Sequence, residues 1–342
     1  MYQQTFHSKE VFTLESGRQL PELTIVYHTS EPANNGKKVL WICHALTANS
    51  NPVEWWEVMV GAGKCFDPAE YFIVCANIIG SCYGTTGPMS INPATGTPYY
   101  DTFPQLSVRD LVAAHYLLCK QLGIDRIDLV VGSSIGGFQA LEFALCYPQL
   151  CKQLVLIACN ARISPWGTAY NESQRMAICA DATYWERRPG GGDHGLAAAR
   201  SIALLSYRCY KGYGLSQAEP DVDAFCAQKA ATYQQYQGEK LRKRFNAYSY
   251  VSITKTFDTH NVGRGRGGVV KALQSVQART LCVAIRGDQL FPPREVACMA
   301  KHIPGARYAS LRSDFGHDGF LLEWEALTKI IRTFLSNHQS SN

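Results

Sequence analysis

Two kinds of hydrophobic pattern, one typical of strands and one typical of helices, alternate over the first 160 residues of the chain and again near its end. Short apolar runs rich in β-branched residues have the length of buried strands. Between them lie segments with apolar residues at helical spacing, as at Leu111, Ala114, Leu118 and Leu122. Strands that alternate with helices in this way are typical of an α/β fold, with a mostly parallel sheet covered by helices on both faces.

The pattern predicts a series of strands and helices outside one long helical segment. The first two strands are expected to pair as a hairpin across the turn-forming residues Ser16 and Gly17. The predicted strands cover residues 11–16, 23–28, 39–44, 71–77, 127–131, 153–159, 280–285 and 308–312. The predicted helices cover residues 53–60, 110–122, 137–146, 294–302 and 321–335.

The alternation stops between residues 161 and 277, where the sequence is mostly helical in pattern and carries glycine-rich interruptions. The chain has 342 residues, whereas a single core usually stops growing near roughly 250–300 residues. An extra subdomain is therefore expected. We predict a catalytic α/β domain formed by residues 1–160 and 278–342, with residues 161–277 inserted as a helical lid.

Composition excludes several classes of protein. Hydrophobic residues make up 46% of the chain and charged residues 18%, which is not the composition of a disordered protein. The net charge of +5 comes without a clustered basic stripe, so no nucleic-acid surface is predicted. No apolar run approaches the roughly 18–20 residues of a membrane span. Thirteen cysteines without a Cys-x-x-Cys pair predict reduced thiols in the cytoplasm, and neither a disulfide framework nor a metal site is expected.

The strongest local motif is Gly-Ser-Ser-Ile-Gly at residues 132–136, between a predicted strand and a predicted helix. This is the pattern of a nucleophile elbow, a strained turn that requires small neighbours and projects its central hydroxyl at the carboxyl edge of the sheet. Ser134 is therefore the predicted nucleophile. A chance match in an ordinary loop is the alternative, and the strand–turn–helix context argues against it.

A serine hydroxyl needs a base to accept its proton, and chains with the α/β-hydrolase fold supply serine, then an acid, then histidine in that order. Asp288 and His317 follow Ser134 in this order, each at or after the end of a late predicted strand. His317 is thus the predicted general base, and Asp288 is predicted to orient it and to stabilise its charged form. The alternatives for these two positions are His302, His338, Asp314 and Asp318.

An oxyanion hole requires two backbone donors, one from the residue after the nucleophile and one from the loop after an earlier strand. Ile135 is the predicted first donor. Leu46, in the segment His-Ala-Leu-Thr at residues 44–47, is the predicted second donor because this segment leaves a strand at the matching place. An ordinary strand-to-helix connection is the alternative for this segment.

Several segments together resemble the homoserine O-acyltransferase family, whose usual name is homoserine O-acetyltransferase. The resemblance covers roughly residues 12–335, and the glycine-rich run at 77–93 is its most specific part. Other matching segments are His-Ala-Leu-Thr at 44–47, Gly-Gly-Phe-Gln-Ala-Leu-Glu at 136–142, Ser-Tyr-Arg at 206–208, Arg-Phe-Asn at 244–246, Asp-Gln-Leu-Phe-Pro at 288–292 and Gly-His-Asp at 316–318.

The resemblance implies an α/β-hydrolase fold and acyl transfer from acyl-coenzyme A to the hydroxyl of L-homoserine, by a ping-pong route through acyl-Ser134, in methionine biosynthesis. It implies that Arg208 binds the carboxylate of the amino acid and that Asp318 binds its ammonium group. It also implies that the inserted helices roof a tunnel for coenzyme A (CoA) and form the contact of a homodimer. No permanently bound cofactor is implied, since acetyl-CoA or succinyl-CoA serves as a substrate.

The chain departs from the family pattern at Ser133, where glycine is usual, and at Ala48 and Asn49, where a Gly-Asp pair is usual. Two donors therefore stay open, acetyl-CoA and succinyl-CoA, as do two acceptors, homoserine and serine. An esterase or thioesterase with the same triad is a rival function, and a ligand-binding protein that has lost catalysis is another. Segment 263–268 is interpreted as a loop, and the basic cluster 240–244 as a solvated helix face, with contact to CoA phosphates as the alternative.

Overall fold

The computed structural model describes residues 1–226 and 228–336, so the alternative base His338 lies outside the described residues. Within these ranges the strands are β1 (Tyr2–Ser8), β2 (Phe12–Thr13), β3 (Gln19–Leu20), β4 (Leu23–Thr29), β5 (Lys38–Cys43), β6 (Tyr71–Ala76), β7 (Ile91–Asn92), β8 (Thr97–Pro98), β9 (Leu129–Ser133), β10 (Gln153–Ile157), β11 (Arg279–Arg286) and β12 (Arg307–Arg312). The α-helices are α1 (Pro52–Trp55), α2 (Val108–Gln121), α3 (Ile135–Cys146), α4 (Pro165–Ala180), α5 (Asp193–Tyr207), α6 (Tyr210–Gln217), α7 (Gln228–Arg242), α8 (Ala247–Asp258), α9 (Val269–Gln274), α10 (Pro293–His302), α11 (Gly319–Leu322) and α12 (Trp324–Ser336). Short 3₁₀ helices cover Tyr100–Thr102, Ala182–Glu186 and Gly316–Asp318.

One eight-stranded sheet forms the centre of the fold, in the order β1-β4-β6-β5-β9-β10-β11-β12. The strands from β6 to β12 in this order run parallel, whereas β1 and β4 are antiparallel to their neighbours. The predicted mostly parallel sheet is therefore confirmed. Because β5, β9 and β10 are adjacent and parallel, the residues that follow them meet at one edge of the sheet, where ligands bind in open α/β sheets.

Successive residues of the central strands pack into two apolar layers, one on each face of the sheet. In β5, Trp41 belongs to one layer and both Leu40 and Ile42 belong to the other. Val130 and Val131 of β9 divide between the layers in the same way. Strands buried on both faces have nearly continuous apolar sequences, which is why apolar runs predict them well.

The predicted pairing of residues 11–16 with residues 23–28 is wrong. The turn at Ser16 and Gly17 is closed by the two-residue ladder of β2 with β3, while β4 pairs along its whole length with β1. In β1 half-buried side chains alternate with exposed ones, as expected for an edge strand. Its sequence is polar enough that hydrophobic patterning predicts no strand there.

Two predicted helices differ in extent from the observed ones. The predicted helix 53–60 is the single turn α1, because the chain beyond it bends and buries Trp56, Met59 and Val60 in one of the apolar layers. The predicted helix 321–335 is divided at Glu323 between α11 and α12.

Between β10 and β11 the chain forms the helices α4 to α9, and we call residues 161–277 the helical insertion. Helix α5 packs against both α4 and α7, and α8 packs against α4. The helical character of this segment agrees with the pattern of its sequence. In the part of the chain that the structure describes, no helix is long and apolar enough to cross a membrane.

A buried carboxylate fastens the end of the helical insertion to the helix that follows Ser134. Glu142 of α3 is almost inaccessible to solvent, and its two oxygens accept from Arg109 Nε at 3.4 Å and Arg266 Nη2 at 2.8 Å. Arg109 and Arg264 also share Glu15, at 3.0 and 2.8 Å. The glycine-rich segment 263–268 forms turns, so its arginines act as structural cations.

We expect Glu142→Ala to lower the free energy of unfolding by about 3 kcal/mol, because it leaves the guanidinium groups of Arg109 and Arg266 without their buried partner. Glu239→Ala is the matched control: Glu239 pairs with Arg242 on the exposed side of α7, and such pairs contribute about 0–1 kcal/mol. Urea denaturation of the three proteins measures the difference. Equal losses in the two variants would contradict a structural role for the Glu142 cluster.

Candidate active site

Ser134 occupies a sharp turn between β9 and α3. Its φ of 56° and ψ of −127° lie outside the regions that side chains ordinarily adopt, and its backbone N–H donates to the Ile157 carbonyl at 2.9 Å. The turn depends on two glycines. A Cβ at Gly132 would lie 2.0 Å from the Gly136 carbonyl oxygen, and a Cβ at Gly136 would lie 2.1 Å from the Cys43 carbonyl oxygen. The strand–turn–helix arrangement therefore has the geometry of a nucleophile elbow.

The structure brings Ser134, His317 and Asp288 into direct contact. Ser134 Oγ lies 2.9 Å from His317 Nε2, and His317 Nδ1 lies 2.7 Å from Asp288 Oδ2. The second carboxylate oxygen, Oδ1, accepts from the backbone N–H groups of Leu290 and Phe291, at 2.9 Å each. All three members of this triad are buried. The arrangement lets His317 accept the serine proton while Asp288 orients the ring.

The alternative acids and bases lie elsewhere. His302 is at the end of α10, where its Nδ1 lies 2.8 Å from the Cys298 carbonyl oxygen. Asp314 forms an exposed ion pair with Lys211 at 2.9 Å. Asp318 follows His317 directly and pairs with an arginine at 3.1 Å. Asp288 is thus the carboxylate that contacts the imidazole.

Opposing effects act on the pKa of His317. Burial, with the rings of Tyr207, Phe291 and Phe320 packed around the imidazole, would lower this pKa. The negative charge of Asp288, the hydrogen bond to it and the charge of Asp318 outweigh burial, and the pKa of His317 is raised. A base with a raised pKa accepts a proton more readily.

Leu46 and Ile135 both border Ser134. Together with Ser134 they line a small cavity, and their backbone N–H groups donate to no acceptor within residues 1–226 and 228–336. The loop before Leu46 is anchored by His44, whose Nε2 accepts from the Ile78 N–H at 3.2 Å. Burial lowers the pKa of His44 to about 4, so this ring is a neutral structural group. The two amides are therefore available to an oxyanion.

Two cavities meet at Ser134. The larger has a volume of about 490 Å³ and contains His317, Asp318 and the side chains Arg200, Lys240 and Arg244 of the helical insertion. The smaller, of about 30 Å³, is lined by Leu46, Ser134, Ile135, Phe138, Ile163, Gly167, Tyr170, Asn171, Gln174, Ser206, Tyr207, Phe257, Leu290 and Phe291. None of the residues that line the smaller cavity carries a charge.

Comparison with known proteins places this geometry in a family. A sequence model described as the alpha/beta hydrolase fold matches residues 38–323. A homoserine O-acetyltransferase of Cyclobacterium marinum is 42% identical over 337 residues, which are 98% of this chain and 95% of that protein. The chain belongs to the homoserine O-acetyltransferase family.

Solved structures show the same fold at lower sequence identity. Homoserine O-acetyltransferase from Bacillus anthracis superposes with a TM-score of 0.89 at 23% identity, covering 98% of this chain and 97% of that one. The crystal structure of esterase E22 superposes with a TM-score of 0.89 at 21% identity, covering 98% and 99%. The α/β-hydrolase fold predicted from the sequence is confirmed.

Arg208 and Asp318, the two residues expected to bind an amino acid in a member of the homoserine O-acetyltransferase family, contact each other. Arg208 Nη1 lies 3.1 Å from Asp318 Oδ2, and Arg208 Nη2 donates to the Tyr233 hydroxyl at 3.2 Å. Burial raises the pKa of Asp318, and the positive charge of Arg208 acts in the opposite direction. A cation and an anion therefore lie side by side, one residue away from His317.

Sequence reasoning missed several residues that support this site. Gln139 Nε2 donates to the His44 carbonyl at 3.2 Å and so ties α3 to the loop that carries Leu46. Asn77 Oδ1 accepts from the Ser50 N–H at 2.9 Å and holds the other end of that loop. Both belong to the segments that resemble the homoserine O-acetyltransferase family, which was the only sequence signal for them. Ser133 stands where glycine is usual in the family, and its Oγ is buried without a hydrogen-bond partner among the described residues.

His317 must be neutral to accept the proton of Ser134, so acyl-enzyme formation is expected to become faster as pH increases through the pKa of His317. Because that pKa is raised, the midpoint is expected above the ordinary histidine value of 6.5. Asp318→Asn removes one of the negative charges that raise it and should move the midpoint to lower pH. Cleavage of p-nitrophenyl acetate measures the midpoint without an amino-acid substrate.

Asp314→Asn is the control for this pH profile. It removes an exposed carboxylate four positions from Asp318 that is paired with Lys211, and it should leave the midpoint unchanged. A midpoint that is the same in Asp318→Asn and in the unaltered protein would show that Asp318 does not act on the charge of His317.

Proposed function

We propose that the protein transfers an acetyl group from acetyl-CoA to the hydroxyl of L-homoserine; its curated relatives carry the name homoserine O-acetyltransferase. The observation that carries the proposal is the Arg208–Asp318 ion pair next to His317. A zwitterionic amino acid presents one carboxylate and one ammonium group, and these complement one fixed cation and one fixed anion. An esterase that uses water has no need of such a pair.

In the first half-reaction Ser134 Oγ attacks the thioester carbonyl carbon while His317 Nε2 takes the serine proton. The amides of Leu46 and Ile135 stabilise the tetrahedral oxyanion. The carbon–sulfur bond then breaks, CoA leaves as the thiol with the proton from His317, and acetyl-Ser134 remains. Asp288 keeps the imidazole oriented and stabilises its charged form throughout.

In the second half-reaction His317 accepts the proton of the homoserine hydroxyl, and that oxygen attacks the acetyl carbonyl carbon. Collapse of the second tetrahedral intermediate breaks the bond to Ser134 Oγ, which takes the proton back from His317. The products are O-acetylhomoserine and the free enzyme. Arg208 and Asp318 exchange their mutual contact for contacts with the carboxylate and the ammonium group of the substrate.

The smaller cavity favours an acetyl donor over succinyl-CoA. Its volume of about 30 Å³ admits roughly two water-sized groups, since a water needs about 10–15 Å³ of such space. With the acyl group in this cavity, succinyl would bring one more methylene and a carboxylate than acetyl, and the lining residues include no cation. An unpaired charge in such surroundings is costly.

The helical insertion supplies the roof of the larger cavity in this proposal. Arg200 and Tyr207 come from α5 and Lys240 from α7, and all three line the cavity that contains Ser134. We propose that residues 161–277 act as the lid of a catalytic domain formed by residues 1–160 and 278–342. Arg200 and Lys240 offer positive charge to the phosphates of CoA.

We further propose that two copies associate through the helical insertion, which exposes large apolar side chains to solvent. These side chains include Leu205, Tyr210, Leu215, Val222 and Phe225. All thirteen cysteines are free thiols, which supports a cytoplasmic site of action. Sedimentation of the purified protein at micromolar concentration measures the association.

We expect thiol release from acetyl-CoA to continue beyond one equivalent per enzyme only when L-homoserine is present, with O-acetylhomoserine as the product. Succinyl-CoA should react far more slowly because its acyl group does not fit the smaller cavity, and L-serine should be the poorer acceptor. Ser134→Ala should lower the rate by several orders of magnitude, as expected for loss of a nucleophile. Thiol release that is fast and indifferent to any amino acid would favour the esterase or thioesterase function.

We expect Arg208→Ala to raise the apparent KM for homoserine about 10- to 100-fold, the effect of losing a hydrogen bond to a charged group. The rate of acetyl-Ser134 formation should remain within a factor of about two, because the first half-reaction involves no amino acid. A single-turnover thiol burst measures the first step, and steady-state kinetics measures the second. Arg188→Ala removes an exposed arginine that pairs with Glu186 and serves as the control. An unchanged KM for homoserine in Arg208→Ala would contradict the proposed binding of the substrate carboxylate by Arg208.

A further inference from the structure

Arg244 joins the helical insertion to the loop that carries Leu46. It lies between α7 and α8, and its Nη1 donates to the carbonyl oxygen of Thr47 and to the hydroxyl of Tyr83. Its Nη2 lies 3.3 Å from Thr47 Oγ1. One guanidinium group thus contacts both the main chain and the side chain of the residue that follows Leu46.

The backbone of Arg244 is itself held in place. Its carbonyl oxygen lies 3.7 Å from Cys82 Sγ, and the ring of the next residue, Phe245, packs edge-on against Tyr83 at a centroid distance of 5.7 Å. The Tyr83 hydroxyl also donates to the Thr47 carbonyl, at 3.2 Å. The main chain at Arg244 and Phe245 is therefore held by Cys82 and Tyr83, and Tyr83 contacts the same Thr47 carbonyl as the guanidinium group.

The loop needs support at this place. On the side before Leu46 it is fixed by the buried His44, which bonds to Ile78 and Gln139. On the side after Leu46, residues 47–49 are only half-buried. Among the described residues, the donors to the Thr47 carbonyl are Arg244 and Tyr83, and both come from outside the loop.

We propose that Arg244 is a positioning residue for the oxyanion hole. By holding the carbonyl and the hydroxyl of Thr47, it keeps the peptide N–H of Leu46 directed at the place where the oxyanion forms. The oxyanion hole then depends on the helical insertion being docked on the catalytic domain. This inference rests on the proposed acyl transfer through Ser134.

Contact with CoA phosphates is the competing role for Arg244. The two terminal nitrogens of its guanidinium already contact protein oxygens, so a phosphate would have to displace them. Lys240 lines the same cavity and has no ion pair in the described part of the chain. The arrangement assigns the phosphate to Lys240 and the loop to Arg244. The interpretation of 240–244 as one solvated helix face is wrong for Arg244, which lies beyond the end of α7 and contacts Thr47 and Tyr83.

The test compares two acetyl donors, acetyl-CoA and p-nitrophenyl acetate, because the second has no phosphate. Arg244→Ala and Arg244→Lys are expected to lower the rate of acyl-enzyme formation about 10- to 100-fold with both donors, approaching the loss of one oxyanion donor. The KM for acetyl-CoA should change less than about threefold. Lysine keeps the positive charge but lacks the planar guanidinium group whose two terminal nitrogens contact Thr47, so the two variants should behave alike.

Three further measurements complete the experiment. Arg242→Ala removes a cation two residues before Arg244, at the end of α7, that pairs with Glu239. The acylation rates with acetyl-CoA and with p-nitrophenyl acetate should both be unchanged. Tyr83→Phe deletes one donor to Thr47 and should also lower the rate of acyl-enzyme formation with both acetyl donors. This variant tests the support of Thr47 even if the Arg244 variants do not fold. The pH midpoint of p-nitrophenyl acetate cleavage should stay the same in every variant that folds, since the triad is untouched.

A raised KM for acetyl-CoA with a normal rate on p-nitrophenyl acetate would overturn the proposal and assign Arg244 to the phosphates. Normal rates with both donors would overturn it as well. Failure of the proposed function is distinguishable: a protein that cleaves p-nitrophenyl acetate through Ser134 but does not acetylate homoserine still reports whether Arg244 positions the oxyanion hole.

Discussion

The close approach of Gly136 to the carbonyl of Cys43 is the contact on which the active site depends. A side chain at Gly136 would lie 2.1 Å from that oxygen, so the end of β5 and the start of α3 can meet only because the residue is glycine. This meeting brings Leu46, three residues past Cys43, to the serine two residues before Gly136. The predicted nucleophile and both predicted oxyanion donors thus come from one backbone junction at the carboxyl edge of the parallel sheet.

Charge is distributed unevenly around this junction. The triad is buried, and the hydrogen bonds of Asp288 to two backbone amides keep a carboxylate stable where solvent does not reach it. The Arg208–Asp318 pair lies closer to solvent, and each of the two charges has the other as its partner. In the proposed reaction an amino acid replaces these mutual contacts group for group, so its binding leaves no buried charge unpaired.

The helical insertion contacts the rest of the fold at several places, and two of these contacts lie close to the elements that carry the site. Near its end, Glu142 of α3 binds Arg266 and Arg109 in a buried cluster. At the cavity, Arg244 reaches the loop of Leu46. The first attachment bears on stability and the second on the shape of the oxyanion hole, so docking of the insertion and catalytic competence are physically linked.

Local sequence patterns, and the order of the motifs along the chain, determined part of the fold and of the site by themselves. The small residues around Ser134, the chain order of Ser134, Asp288 and His317, and the apolar runs of the parallel strands predicted the elbow, the contacts of the triad and the sheet. Tertiary structure alone decided the partner of β4, the volume of the smaller cavity and the contacts of Arg244. Strand pairing, cavity size and such contacts depend on residues far apart in the chain, whose meeting follows from packing of the whole fold and not from any local preference.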